Sequence, residues 1–297
     1  MSEERTGNGL AGTLKSIYRH PVKSMIEEEL DACDVTAAGL CGDRAYALID
    51  VGDGKVASAK NPRKWGNLLE WRAQYENDPE PGEDGGPVRI TAPDGLSMLS
   101  SSPDVHADLS KALGRNVRLN RRGSGHEGMA ETTLADRWAP RLEEYWPEDV
   151  EGLAYSGVVT DEPMPEDTFF DLATIHLLTT ATLDALGQLY PSGQFDVRRF
   201  RPNLVIAPPE GETGFVENSW IGKTVQIGED LQLAITGPCP RCVMTTLPQR
   251  GLPKNTGVLR AAAQHNGAHV GVYASVVRNG RVQKGDIVRI AGPGIAD

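Results

Sequence analysis

Short runs in which apolar and polar residues alternate fill this chain, and clusters of turn-forming residues separate them. The run through Leu14, Ser16, Ile17 and Tyr18 predicts a first strand that ends at His20-Pro21. Arg44 to Asp50 predicts a second, followed by Gly52-Asp53-Gly54, in which Asp-Gly is a strong hairpin signal. Leu68 to Tyr75 alternates as a strand, and the acidic, Pro- and Gly-rich stretch from Asn77 to Pro87 reads as a loop. Val88 to Thr91 and Leu96 to Leu99 flank the turn Pro93-Asp94-Gly95 as a further hairpin. Helical spacing first appears at Val105, Leu109 and Leu113, with Ser102-Pro103-Asp104 as cap and first-turn proline and Gly114 as the stop.

The second half repeats the theme. Asp171 to Leu178 leads into Thr179 and Thr180, which can cap a helix through Thr182, Leu183, Leu186 and Leu189. Asn203 to Ala207 predicts a strand, and Thr224 to Ile227 with Leu231 to Thr236 predict a hairpin around Gly228-Glu229-Asp230. Val258 to His265 predicts a short helix, and His269 to Val277 and Arg281 to Ile290 a last hairpin through Arg278-Asn279-Gly280. Strands outnumber helices, which favours an α+β protein built on closed or strongly curved antiparallel sheets. Arg122 to Glu131 is Gly-rich and irregular, and Pro140 to Asp167 collects prolines and acids. The boundary falls there: an N-terminal domain over 10–135, a linker over 136–167 and a C-terminal domain over 168–293.

Composition narrows the function classes. A chain of 297 residues that is 39% hydrophobic can bury one large core or two modest ones. No window approaches a membrane-spanning apolar run, and Met1-Ser2-Glu3-Glu4-Arg5 is not the start of a signal peptide, so a cytoplasmic location with no membrane partner is the expectation. In that compartment thiols stay reduced, and the four cysteines are not read as a disulfide framework. A net charge of −11 argues against nucleic acid as a partner. The arginines at 198, 199 and 201, with Lys23, Arg44 and Arg241 in motif-like segments, suit a small anion such as phosphate; solvated or ion-paired arginines are the plainer reading.

The most reactive chemistry lies in Gly237-Pro238-Cys239-Pro240-Arg241-Cys242-Val243-Met244-Thr245-Thr246. A thiolate is the nucleophile or metal ligand, and a neighbouring cation favours it. Four readings are open. A structural zinc site needs a second cysteine pair, and Cys33 and Cys41 are spaced too widely to give one. A dithiol redox site needs a strand-to-helix setting, which Val-Met-Thr-Thr does not supply. Two buried, inert cysteines are the third possibility. The fourth is a single cysteine thiolate that binds a cofactor metal or carries sulfur, with Arg241 as its electrostatic support.

The run Arg241-Cys242-Val-Met-Thr-Thr, preceded by Pro238-Cys239-Pro240, resembles the signature of MOSC domains, found at the C-terminus of molybdenum-cofactor sulfurases. Phe200-Arg201-Pro202-Asn203-Leu-Val-Ile resembles the family's second segment, and Asp171 to Leu183 and Lys284-Gly285-Asp286 also fit. Tyr18-Arg19-His20-Pro21-Val22-Lys23-Ser24 and Gly42-Asp43-Arg44-Ala45-Tyr46 resemble the companion N-terminal β-barrel domain. The matches run in order along nearly the whole chain.

The resemblance implies two β-rich domains, an N-terminal MOSC-associated β-barrel and a C-terminal MOSC β-barrel with short helices. This layout is similar to the mitochondrial amidoxime-reducing component and its bacterial relatives, which reduce N-hydroxylated compounds. The likeness implies a molybdopterin-type molybdenum cofactor with Cys242 as the metal's protein ligand. Lys23, Ser24 and Arg44 would serve the pterin phosphate, Arg201 and Asn203 the pterin ring or phosphate, and Asp171 and Arg241 the same pocket. Leu172 and Ala173 depart from the hydroxyl side chains frequent in relatives after Asp171, and Met25 stands where many have cysteine. His176 and His20 read as satisfied structural histidines rather than ligands. The substrate implied is a small N-hydroxylated molecule. With too few cysteines for an iron–sulfur cluster of its own, the electron donor implied is a separate reductase. The alternative from another class is a carrier that holds sulfur as a persulfide on Cys242, or delivers cofactor, without redox turnover. The family is also linked to pyridoxal phosphate through fusion to pyridoxal-dependent sulfurases, a link that lends little here, where no aminotransferase-like segment is read.

Overall fold

A computed structural model describes residues 9–82, 85–123 and 168–293. The expected linker over 136–167 and most of the irregular Arg122 to Glu131 stretch lie outside the described residues.

The first strand sets the architecture. β1 (Gly9–Arg19) buries Leu14 and Ile17 on one face and exposes Thr13 and Lys15 on the other, the alternation of a half-buried strand. It pairs antiparallel on one side with β11 (Leu204–Ala207) and on the other with β16 (Ile287–Pro293). β11 runs parallel to β10 (Ile175–Thr179), and β14 (His269–Arg278), β13 (Leu231–Pro240) and β12 (Lys223–Ile227) continue the order back to β16. The β1–β11 pairing closes these seven strands into a barrel, and β2 (Glu28–Leu30) adds to the outside of β1. Leu14, Ile17, Leu177, Leu204, Val225 and Leu233 meet inside it. Each such side chain contributes about 1.5–3 kcal/mol when fully buried.

The strand pairing therefore does not respect the stretch expected to divide the chain. An N-terminal strand is a stave of the C-terminal barrel, and β15 (Gly280–Gln283) pairs with β3 (Ala32–Thr36), which also pairs with β4 (Gly39–Leu40). The rest of the first half forms a second β-rich body. β5 (Tyr46–Asp50) pairs with β9 (Val117–Arg121), and β6 (Arg72–Tyr75), β7 (Val88–Thr91) and β8 (Ser97–Leu99) form a three-stranded sheet. Its core includes Val22, Met25, Tyr46, Leu48, Trp65 and Ile90.

Two expected elements differ. Leu68 to Tyr75 is not one strand: consecutive Leu68 and Leu69 are both buried, which a strand cannot arrange on one face, and Gly66–Glu70 forms a 3-10 turn before β6. The last hairpin also dissolves. β14 pairs with β13 and β10, while the chain after Asn279 leaves to pair with β3 and then with β12 and β1. The β12–β13 hairpin forms as expected. Among the described residues four helices accompany the strands, the first an addition and the other three as expected. α1 is a single turn (Pro62–Trp65); α2 (Val105–Leu113) ends on left-handed Gly114; α3 (Thr180–Leu189) is capped by the Thr179 hydroxyl, which accepts from Thr182 N; and α4 (Gly257–Asn266) ends on Gly267.

Candidate functional site

The site is built where the chain leaves β1. Residues 20–24 run beside the segment before β5: Lys23 N donates to Tyr46 O at 2.9 Å, Tyr46 N to Pro21 O at 3.0 Å, and Arg44 N to His20 O at 2.8 Å. Ser24 and Arg44 both hold left-handed backbone, at φ 66° and 46°, and Arg201, just before β11, does so at 53°. Such conformations cost about 1–3 kcal/mol each outside glycine and persist only where surrounding structure enforces them. All three had been singled out from sequence as cofactor-site residues.

The Lys23 ammonium is buried. It donates to Phe169 O at 2.8 Å and to Asp171 Oδ1 at 2.6 Å, while Lys60 reaches Asp171 Oδ2 at 3.1 Å. Burial pushes Lys23 down to about 8, with Asp171 opposing the shift and Lys60 and Arg44 adding to it. Burial resists ionisation of Asp171, but Lys23 and Lys60 overcome it and hold that carboxyl well below the usual carboxylate range. The Ser24 hydroxyl accepts from Ala59 N at 3.1 Å, which ties the Lys23 turn to the segment carrying Lys60. Arg44 pairs with Asp43 and lies over the Phe170 ring, 5.8 Å from its centroid.

Asp43 is fully buried and organises the neighbouring strands. It accepts from His20 N at 2.7 Å, from Asn203 Nδ2 at 2.9 Å and from Arg44. Asn203, also buried, accepts from His176 N at 3.0 Å and donates as well to Tyr18 O at 3.3 Å. Its carboxamide is committed to three backbone or side-chain partners, so it positions β1, β10 and β11 against the Asp43 turn. Arg201 is the opposite case. Its half-buried guanidinium has no hydrogen bond or ion pair among the described residues, and burial, with Arg44 next in weight, lowers it to about 10.

The sulfur corner ends β13. Cys242 is half-buried, and its carbonyl accepts from Thr245 N and Oγ1 as the chain enters a 3-10 turn (Val243–Thr246). Val243, next to Cys242, shares an apolar cluster with Ala59 and Leu69, and Ala59 adjoins Lys60 and donates its N–H to the Ser24 hydroxyl. Arg241 does not reach for Cys242. Its Nη1 donates to the buried Cys239 Sγ at 2.7 Å and its Nη2 to Phe200 O at 2.8 Å, while its buried Nε has no partner. Tyr273 faces the same sulfur, and burial together with Cys239 raises its phenol well above the ordinary value.

The two histidines part ways. His176 Nε2 meets Val270 O at 3.0 Å, and burial, with Arg241 second, pushes it down to about 3, so it is a satisfied neutral ring. His20 is buried with neither ring nitrogen paired, against the expectation of a satisfied histidine; burial and the charges of Arg201 and Arg44 hold it well below its usual value. Lys60, Asp43 and Tyr273 were not singled out from sequence as site residues. Asp43 sat within a quoted motif, Lys60 carries no local signal, and Tyr273 is one polar position in an alternating strand.

Chemically, this is a cluster of four cations, Lys23, Lys60, Arg44 and Arg201, around Asp43 and Asp171, with a half-buried cysteine just beyond the end of β13. Among the described residues no group of three or more His, Cys, Asp or Glu side chains gathers to hold a metal, so a metal at Cys242 would have that sulfur as its protein donor and take its other ligands from elsewhere. The unpartnered Arg201 and the orphaned Arg241 Nε are donors suited to an anionic, oxygen-rich group. The donor set fits a phosphorylated pterin carrying a thiophilic metal.

A family model described as the MOSC N-terminal beta barrel domain matches residues 11–135, and one described as the MOSC domain matches residues 164–289. The chain belongs to the MOSC-domain family. A molybdenum cofactor sulfurase from Oryza sativa subsp. japonica is 25% identical over 253 residues, which is 80% of this chain and 28% of that protein, so this MOSC chain spans well under half of that relative's length. The YUAD protein from Bacillus subtilis is 11% identical, with 95% of this chain and 96% of that one covered at a TM-score of 0.44. YiiM from Geobacillus stearothermophilus is 16% identical, with 42% and 57% covered at a TM-score of 0.32. Among the described residues no helix is long and apolar enough to cross a membrane.

Proposed function

We propose that this MOSC protein binds a molybdopterin-type molybdenum cofactor and reduces N-hydroxylated compounds, with electrons from a separate reductase. The family and the rice relative tie the chain to molybdenum-cofactor chemistry. The observation that carries the reading is the half-buried Cys242 just beyond the end of β13. Its neighbour Val243 shares an apolar cluster with Ala59, the residue whose N–H the Ser24 hydroxyl accepts, and Ser24, Arg44 and Arg201 all hold left-handed backbone.

In this reading Cys242 is the protein ligand to molybdenum, since a soft thiolate suits that metal. Lys23, Arg44 and Lys60 hold the pterin phosphate, Arg201 and Arg241 face its polar edge, and Asn203 and Ser24 fix the backbone that presents these cations. Bound there, the cofactor supplies two-electron chemistry coupled to oxygen removal. The balanced conversion is N–OH plus two electrons and two protons to N–H plus water.

Expression in a host that makes the cofactor tests the reading. Stoichiometric molybdenum, pterin fluorescence after release, and turnover of a hydroxylamine with a chemical reductant are the expected results. Cyanide-labile sulfur without molybdenum would instead mark a carrier.

A further inference from the structure

We infer that Asp171 is a built-in counter-ion that a phosphate must displace to reach the lysine pair, so that it competes with the cofactor's phosphate rather than helping to bind it. This rests on the proposed cofactor reading and reverses the part expected for Asp171 within it.

The geometry is that of an anion already seated. One carboxylate oxygen lies 2.6 Å from Lys23 Nζ and the other 3.1 Å from Lys60 Nζ. The two lysines come from different segments and converge on one carboxyl group. The side chains of Lys23, Lys60 and Asp171 are 6%, 15% and 33% exposed, so Asp171 is the member of the trio most open to solvent. A phosphate that takes both lysines must take the place of the Asp171 carboxylate between them. Phosphate and carboxylate ask for the same donors, and two carboxylate oxygens spanning two ammonium groups mimic two oxygens of a phosphomonoester.

The surroundings explain why a stand-in is useful. Lys23, Lys60, Arg44 and Arg201 all act on one another or on Asp171. Four cations in partly buried positions repel one another, and leaving a buried charge uncompensated is strongly destabilising. Asp43 compensates Arg44, and Asp171 compensates the lysines. Asp43 is fully buried and held by two further donors, whereas Asp171 is one-third exposed and, among the described residues, hydrogen-bonds through its carboxylate to the two lysines. Of the two acids, Asp171 is the one placed to move.

Isothermal titration of inorganic phosphate into cofactor-free full-length protein tests this, with Asp171→Asn and Glu27→Gln compared with the parent. Glu27 acts on Arg201 and pairs with Arg250 but touches neither lysine, so it matches the charge change without the displacement. The expected result is phosphate binding at least about tenfold tighter in Asp171→Asn, with Glu27→Gln within about threefold of the parent. The Asp171→Asn protein should also melt lower than the parent without phosphate and regain most of the loss with it, which separates a weakened fold from a freed seat. Adding Lys23→Met to Asp171→Asn should abolish the gain.

Equal gains in the two acid variants, or unchanged or weaker binding in Asp171→Asn, overturn the inference. So does phosphate binding of undiminished affinity in protein fully loaded with molybdenum, because the pterin phosphate would then sit elsewhere. Molybdenum content read on the same preparations keeps the two ideas apart: a loaded protein with no Asp171 effect sinks the counter-ion role alone, and a protein that never takes up molybdenum sinks the cofactor reading.

Discussion

The two parts of the candidate site, the lysine cluster and the end of β13, handle charge in opposite ways. On the lysine side three of the four cations are directly ion-paired, Asp171 bridging Lys23 and Lys60 and Asp43 taking Arg44, while Arg201 feels Glu27, Asp43 and Asp171 without a direct ion pair among the described residues. On the sulfur side Arg241 pairs with no carboxylate among the described residues; its guanidinium is spent on Cys239 Sγ and the Phe200 carbonyl, with Nε left over. The lysine side is built to exchange one anion for another. The sulfur side is built to stay rigid, with Arg241 stitching the end of β13 to the loop before β11. A group that binds across both would be held by exchangeable charge at its tail and by fixed geometry at its metal.

The harshest way to break that division is to remove the sulfur at its centre. Cys242→Ser should lose more than about 100-fold in retained molybdenum, beyond the 10–100-fold typical when an outer-shell partner is removed, with turnover lost in step. Metal analysis after dialysis checks it. Full molybdenum content with normal hydroxylamine reduction would remove Cys242 from the role.

Asn203 tests the frame that joins the sides. Asn203→Leu leaves Asp43 Oδ2 short of one donor and His176 N without its acceptor, both buried. A loss of about 2–4 kcal/mol in urea-derived stability is the expected outcome, larger than its effect on phosphate affinity in whatever fraction remains folded. If Asn203 instead served the ligand, affinity would fall while stability held.

How much of this was legible beforehand depends on what each residue's signal was. Strands announced by alternation, such as β1 and the β12–β13 hairpin, stand where expected. Partners chosen at long range were invisible: nothing in Gly280–Gln283 says that it prefers β3 to β14, because pairing is decided by the barrel's closure and not by the local pattern. The motif positions Ser24, Arg44 and Arg201 proved to share a strained backbone, yet an arginine and a serine are not the residues that usually mark left-handed geometry. Lys60 is legible only from the far side, through Asp171, since Ser58-Ala59-Lys60-Asn61 carries no pattern of its own. Arg241 was expected to support Cys242 electrostatically; its charge does act with that sulfur, but its hydrogen bonds go to the cysteine two positions before Arg241 and to the Phe200 carbonyl, which no local pattern announces.

pH sharpens the lysine side. Lys23 is lowered from its ordinary value to about 8, so the unfolded chain binds more protons than the native one between roughly 8 and 10.5, and stability gains from this group as pH rises through that window. Anion affinity moves the other way. As Lys23 loses its proton above pH 8, inorganic phosphate should bind more weakly, by up to about tenfold per pH unit, and the slope should vanish in Lys23→Met. A flat affinity from pH 7 to 9.5 would show that Lys23 is not among the phosphate's partners.

The mildest change falls on the sulfur side. Cys239→Ser keeps a small acceptor for Arg241 Nη1 in a buried position and leaves the Phe200 carbonyl contact in place. Arg241 should hold its orientation, and molybdenum content should stay within about threefold of the parent, against the large loss for Cys242→Ser. Cys239→Val removes the acceptor and strands a second guanidinium nitrogen beside the already unpartnered Nε, at a cost of about 1–3 kcal/mol. If serine and valine at 239 lose molybdenum alike and as severely as Cys242→Ser, Cys239 is itself a ligand, and the sulfur side is a two-thiol site instead of a rigid brace behind one.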